Sequence, residues 1–320
     1  MSGVAERVGE LLGPKHTTYV VALVTPAGVE TGAVGTDEHG DVELGSVSKG
    51  FTGFLWRDAV DRGEVAERAV VGDHLDVPPA VAGIRLSALA THSSGLPRLA
   101  GGSDVLRRTW ELWRGGRNPY REDLPALLAL LDGVTVSTKR RRSSYSNLGF
   151  QLLGHAVAAS AGTSYPDLVA QRIADPLGMD DTYVPTSADG LRAGAVTPRN
   201  RRGRQVEPWA NAAIAPAGGV RASAADLATL LRAMLDRTVA GADALDPVAP
   251  LAGKVRIGAG WLTGPLLRRT VTWHNGGTGG FRSFVGIDRD HGVGVALVSA
   301  STRSVDGAAA RLLAETGDAA

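Results

Sequence analysis

The sequence predicts an α/β protein of the α+β type: one antiparallel sheet from the N- and C-terminal segments, flanked by helices, with a mainly helical domain inserted between them. Three observations predict it. Strand-like apolar runs lie at both ends of the chain, helical periodicity fills the middle, and no strand alternation of comparable clarity interrupts that middle. The expected division is a sheet domain over residues 1–70 and 215–320 and a mainly helical insertion over 71–214.

In chain order, residues 1–13 alternate charge with Val4, Val8, Leu11 and Leu12, as an amphipathic helix does. This stretch lacks the basic start and apolar core of a signal peptide, and no run is long enough to span a bilayer, so a cytoplasmic chain is expected. Thr17–Thr25 is β-branched and apolar, a buried strand, and Pro26-Ala27-Gly28 turns it into a second strand, Val29–Gly35. Asp41–Gly45 leads into a helix from Ser46 to about Arg62, with Phe51, Phe54, Leu55 and Ala59 on one face. Leu86–Ala90 forms a short helix ending in Thr91-His92-Ser93-Ser94-Gly95-Leu96-Pro97. The clearest helices of the middle, Ser103–Met179, are Leu124–Leu131 and Leu148–Ala161. Ser223-Ala224-Ala225-Asp226 starts a helix like a capping box and places Leu227, Leu230, Leu231 and Met234 on one face. Strands follow at Val255–Leu262, Thr270–His274, Arg282–Asp288 and Val293–Ser299, and a helix over Val305–Glu315 closes the chain.

Composition narrows the function. The 320 residues can bury a large core, and 43% hydrophobic with 21% charged residues is ordinary for a soluble protein. A net charge of +1 gives no reason to expect nucleic acid or an anionic membrane as partner. The expected partner is a small molecule or short peptide. With no cysteine, disulfides, thiolate nucleophiles and cysteine-ligated zinc are excluded. His16, His39, His74, His92, His155 and His291 show no metal-binding spacing, so neither metal nor cofactor is expected.

Ser46 and Lys49 stand three apart at a strand-to-helix junction and project from one side of a first helical turn. Nucleophilic acyl chemistry needs that pattern. A serine hydroxyl is a weak nucleophile until a neighbouring base takes its proton, and N–H groups at a helix start favour an oxyanion. Of Lys15, Lys49, Lys139 and Lys254, only Lys49 follows a serine at this spacing. Tyr145-Ser146-Asn147 opens the Leu148 helix, and His274-Asn275-Gly276-Gly277-Thr278-Gly279-Gly280-Phe281 ends a strand. The proton of Ser46 can pass to Lys49 or Tyr145; an ordinary tyrosine is a poor base at neutral pH, and a close ammonium would lower its pKa. Asn147 can hold Lys49 and donate to a substrate carbonyl. The active site is expected at the interface of the two domains. Two basic runs, Lys139–Arg142 and Arg199–Arg204, read as solvated loops, with a cationic rim for an anionic substrate as the other possibility.

The three motifs, in this order, resemble the β-lactamase/penicillin-binding-protein-like serine hydrolases, specifically the class C β-lactamase, DD-peptidase and esterase branch. Thr91–Pro97, Pro176-Leu177-Gly178-Met179 and Ala217-Gly218-Gly219 add to a likeness that spans about Thr17 to Ala300. The resemblance implies a β-lactamase/transpeptidase-like fold and cleavage of an ester or amide through a Ser46 acyl-enzyme. Lys49, Tyr145, Asn147 and His274 are then the other catalytic residues. The oxyanion hole is the backbone N–H of Ser46 and Gly277, with Asn275 and Gly276 binding substrate. His274 stands where class C β-lactamases carry lysine, which points to an esterase, amidase or D-amino-acid peptide hydrolase or transferase. A β-lactamase proper and a non-catalytic binding or sensor domain are the alternatives.

Overall fold

The computed structural model describes residues 3–100, 107, 111, 114, 116–137 and 143–319. The basic run at Lys139–Arg142 and much of the segment after Ser103 lie outside them.

Eight strands form one antiparallel sheet in the order β2-β1-β10-β9-β8-β7-β6-β5. The N-terminal pair, β1 (Tyr19–Thr25) and β2 (Gly28–Val34), adds to C-terminal strands β5 (Ala249–Ala252), β6 (Val255–Ile257), β7 (Leu262–Leu266), β8 (Arg269–Gly277), β9 (Arg282–Asp288) and β10 (Val293–Ser299). The junction is β1 against β10, in a register that opposes Ala22 to Ala296. Both strands read as unbroken apolar runs because both faces of the sheet are covered. On one face Tyr19, Val21, Leu23, Val295 and Leu297 pack with Val4 and Val8 of α1 (Val4–Leu12) and Leu312 and Leu313 of α7 (Asp306–Ala319). On the other, Val20, Ala22, Ala296 and Val298 join the larger core.

That larger core holds α2 (Ser48–Asp61), α3 (Leu86–Ala90), α4 (Asn147–Ser160), α5 (Ala215–Gly218) and α6 (Ala224–Leu235). Helix α2 is buried almost all round, and two of its glycines let other backbone or rings approach. A Cβ at Gly50 would lie 3.0 Å from Trp261 Cη2, and one at Gly53 would lie 2.7 Å from the Ala259 carbonyl carbon. The Ser223 side chain caps α6 by accepting from the Asp226 N–H, as its sequence predicts. Among the described residues no helix is long and apolar enough to cross a membrane.

Two expectations need correction. The single strand read over Val255–Leu262 is two strands, β6 and β7, because Gly258-Ala259-Gly260 leaves the sheet to pack on α2 and α3. Ala259 N–H donates to the Ala244 carbonyl and Gly260 N–H to the Ala90 carbonyl. A second, two-stranded sheet, β3 (Val42–Glu43) with β4 (Arg221–Ala222), sits directly ahead of Ser46.

Candidate active site

Gly45 adopts φ 52°, a left-handed conformation that glycine enters without strain, and turns the chain from β3 into a 3₁₀ turn, Gly45–Val47, ahead of α2. Ser46 therefore stands on the turn rather than inside the helix expected for it. One turn on, Lys49 is fully buried. Its Nζ lies 3.2 Å from the Ser46 hydroxyl and donates to the Ala217 carbonyl at 2.6 Å. Burial, and then the nearby Arg98 guanidinium, push the Lys49 amine well below its ordinary value. A lysine so placed can be a neutral amine, able to take a proton.

Tyr145 precedes the N-cap of α4, where the Ser146 hydroxyl accepts from the Gly149 N–H and donates to the Pro97 carbonyl. His92, at φ 55°, braces this segment. Its Nδ1 accepts from the Ser146 N–H, and its ring centroid lies 4.5 Å from that of Tyr145. Lys49 Nζ is 5.0 Å from the Tyr145 ring centroid, and the Ser46 hydroxyl is near enough to pull on the Tyr145 phenol. Burial pushes Tyr145 up to about 12, outweighing the pull of the Ser46 hydroxyl and of Arg98. The expected lowering by the ammonium does not occur: desolvation is the larger effect. The phenol keeps its proton at neutral pH.

Asn147 is buried, but it does not hold Lys49, whose partners are Ser46 and Ala217. Its amide nitrogen donates instead to the Tyr120 hydroxyl at 2.7 Å, and its Oδ1 has no partner among the described residues. That oxygen is poised to accept from a further group.

Along β8, alternation separates neighbours. His274 faces the Lys49 side and is buried. Its Nδ1 engages the Asn275 carbonyl at 2.7 Å. Burial, then the Lys49 charge, lower it to about 3. A free histidine would titrate near neutral pH, but an imidazolium in that dry site beside an amine is disfavoured. Asn275 points to the opposite face, where its amide donates to Asp306 of α7, so its side chain lies away from Ser46. Gly276 and Gly277 meet the Gly45–Ser46 turn backbone to backbone. A Cβ at Gly276 would lie 2.9 Å from the Ser46 nitrogen, and one at Gly45 would lie 2.8 Å from the Gly277 nitrogen. The run Arg199–Arg204 is exposed, and the Arg199 N–H donates to the Gly280 carbonyl.

Sequence reasoning missed Arg98, Tyr120, Glu43, Arg221 and Thr278. For Glu43 a signal existed: a carboxylate between Val42 and Leu44, in an apolar run ahead of Ser46, needs a buried partner. Among the described residues no group of three or more histidine, aspartate or glutamate side chains is arranged to hold a metal ion.

The arrangement places a hydroxyl between an amine that can accept a proton and a phenol that can donate one, beside a glycine strand edge. Comparison with known proteins agrees in fold and family. The chain is 35% identical over 154 residues to the human "Putative beta-lactamase-like 1", covering 48% of this chain and 28% of that protein. It is 34% identical over 116 residues to the Escherichia coli (strain K12) "D-alanyl-D-alanine-carboxypeptidase/endopeptidase AmpH", covering 36% and 28%. The chain thus spans under a third of the length of these curated relatives. The class C β-lactamase structure from Rhodobacter sphaeroides superposes with a TM-score of 0.81 at 20% identity, covering 100% of both chains. The octameric penicillin-binding protein homologue from Pyrococcus abyssi superposes with a TM-score of 0.81 at 20% identity, covering 98% of this chain and 75% of that one. The family model "Beta-lactamase" matches residues 16–318, and the chain belongs to that family, with the fold of the class C β-lactamases.

Proposed function

We propose that this chain is a serine acyl hydrolase that cleaves an ester or amide through a Ser46 acyl-enzyme. One observation carries the reading: the Ser46 hydroxyl stands 3.2 Å from the amine of a fully buried Lys49 that is held well below its ordinary pKa. Ser46 Oγ attacks the carbonyl carbon while its proton passes to neutral Lys49. The carbonyl oxygen takes the negative charge against the N–H groups of Ser46 and Gly277. As the carbon–heteroatom bond breaks, Tyr145 gives its proton to the departing alkoxide or amine and regains one from Lys49. Water then attacks the acyl-enzyme, returns the acid and restores Ser46–OH. Asn147 Oδ1, without a partner among the described residues, accepts from a substrate N–H. Neutral, buried His274 offers no charge to a substrate carboxylate, which favours esters and neutral amides over carboxylate-bearing β-lactams. Cleavage of D-amino-acid peptides is the second reading, favoured by the likeness to AmpH.

A fluorescent fluorophosphonate should label the protein, and Ser46→Ala should abolish the label. A panel of short acyl esters, nitrocefin and D-Ala-D-Ala peptides then separates the substrate classes. Labelling confined to another serine, or none at all, rejects the reading.

A further inference from the structure

Glu43 lies three residues before Ser46 and is fully buried, yet every hydrogen bond it accepts comes from a different segment. The Trp209 N–H donates to its Oε1 at 2.9 Å, Arg221 Nη1 donates to the same oxygen at 3.3 Å, and the Thr278 hydroxyl donates to Oε2 at 2.5 Å. Arg221 also pairs with Asp41 and donates to the Asp41 and Val196 carbonyls, so the cluster is anchored on two further sides. Thr278 Oγ1 in turn accepts from the N–H groups of Gly280 and Phe281, which closes the loop after β8 around it. A burial this complete for two carboxylates and one guanidinium disfavours the ionised groups unless each is paired and hydrogen-bonded, and here they are.

The position of this cluster gives it a consequence for chemistry. Gly277 is the residue before Thr278, and its backbone abuts the Gly45–Ser46 turn with no side chain between. Two hydrogen bonds flank that contact: Glu43 to Thr278 on one side, and the Ser283 hydroxyl to the Leu44 carbonyl, 2.7 Å, on the other. Glu43 and Leu44 belong to the run that carries Ser46, whereas Thr278 directly follows β8 and Ser283 lies opposite Gly276 on β9. A donor aimed at a developing oxyanion acts only if its position is fixed within a fraction of an ångström.

We propose that Glu43 is a positioning residue: through Thr278 it sets the separation between the Gly277 N–H and the Ser46 turn, and so aligns the two oxyanion donors. The proposal rests on the hydrolase reading above. The test uses the full chain with a p-nitrophenyl ester and the variants Glu43→Gln, Thr278→Val, Thr278→Ser and Glu43→Gln/Thr278→Val. Losing one oxyanion donor outright lowers kcat about 10²–10³-fold, so a misplaced donor should lower it by about ten-fold or more. Glu43→Gln and Thr278→Val should each show that loss with KM within about two-fold, because the charge appears only in the transition state. Thr278→Ser, which keeps the hydroxyl, should retain most activity. The double variant should lose no more than the worse single one. Thr278→Val leaves Asp41, Arg221 and Glu43 paired, so it reports on the link even if Glu43→Gln fails to fold. An unchanged kcat, multiplying losses, or a Thr278→Ser variant as poor as Thr278→Val overturns the proposal. If the parent shows no Ser46-dependent turnover, the hydrolase reading has failed instead, and hydrogen exchange decides the positioning claim. Faster exchange over residues 274–281 in both single variants supports it, and unchanged exchange overturns it.

Discussion

Lys49 and Ser46 meet at 3.2 Å, and among the described residues the lysine has one other hydrogen-bond partner, the Ala217 carbonyl at 2.6 Å. No carboxylate is among those partners. An ammonium held by one carbonyl and one hydroxyl is poorly compensated for lost water, and Arg98 adds repulsion, which is why the amine is pushed down. The sequence motif supplies the pair; its buried setting supplies the lowered amine that the proposed reaction needs.

The acid limb of the pH–activity profile should therefore report Lys49. Activity rises as pH climbs through the lowered lysine pKa, because only the neutral amine accepts the Ser46 proton. Lys49→Ala should lower kcat/KM by roughly two orders of magnitude or more. Arg98→Gln removes the repulsion and should move the limb to higher pH. Profiles of kcat/KM for a neutral ester in the three proteins check this, and a limb that stays put in Arg98→Gln means another group governs it.

The same burial affects stability, with a definite sign. In the unfolded chain Lys49 holds its proton up to its ordinary pKa; in the folded chain it loses it well below. Between those two values the unfolded state binds more protons, so stability contributed by this site rises with pH. Lys49→Met removes the burden of the buried amine. Its advantage over the parent should be greatest below the folded pKa and shrink as pH rises toward about 10. Urea midpoints of both proteins from pH 6 to 10 test it; parallel curves would mean the amine is not perturbed.

Tyr145, raised to about 12, is protonated throughout the neutral range, as the donor role proposed for it requires. Tyr145→Phe should lower turnover by roughly two orders of magnitude, the scale of general acid–base assistance, without shifting the acid limb. Combined with Lys49→Ala it should cost far less than the product, since both act on one hydroxyl. Fully multiplicative losses in a single-turnover assay would show that they work independently.

What the sequence disclosed and what it withheld divide along physical lines. Strands β9 and β10 were readable because β-branched and apolar residues (Phe284, Val285 and Ile287 in one, Val293 to Val298 in the other) flank the turn residues Arg289-Asp290-His291-Gly292. The Ser46–Lys49 pair was readable because spacing alone puts both on one side of a turn. The strand pair β3–β4 was not: two-residue strands carry no periodicity, and Val42 and Ala222 meet only through tertiary folding. Tyr120 as the partner of Asn147 was equally invisible, since the two are far apart in the chain. Asn275 is a different case. Its neighbour His274 already claimed the inner face, and strand alternation alone sends Asn275 outward. The direction of the Tyr145 and His274 shifts depended on how deeply each side chain is buried, which one sequence does not state.

The close approach of α2 to Trp261 makes a stability prediction. A Cβ at Gly50 would fall within 3.0 Å of the Trp261 ring, which is itself wholly buried and cannot swing aside. Gly50→Ala gains helix propensity but overpacks the core, and the steric cost, about 1–3 kcal/mol, should win. Thermal melting should show a lower midpoint by a few degrees. A midpoint at or above the parent's would mean that the indole can shift.

His274 gives the last prediction. Lowered to about 3 by burial and by Lys49, it stays neutral from pH 5.5 to 8.5. It cannot become a carboxylate receptor on mild acidification, although its ordinary pKa would allow that. The ratio of kcat/KM for an anionic ester to that for a neutral ester of similar size should be flat across that range. Taking the ratio cancels the shared titration of Lys49. His274→Lys places a second amine next to Lys49 in the same dry site, where two ammonium groups repel. The new lysine should hold its proton only if an anionic substrate compensates it, so the ratio should rise in the variant while turnover of the neutral ester falls. A parent ratio that increases as pH drops toward 5.5 would show that His274 takes up a proton, and that its ring reaches water which the folded structure denies it.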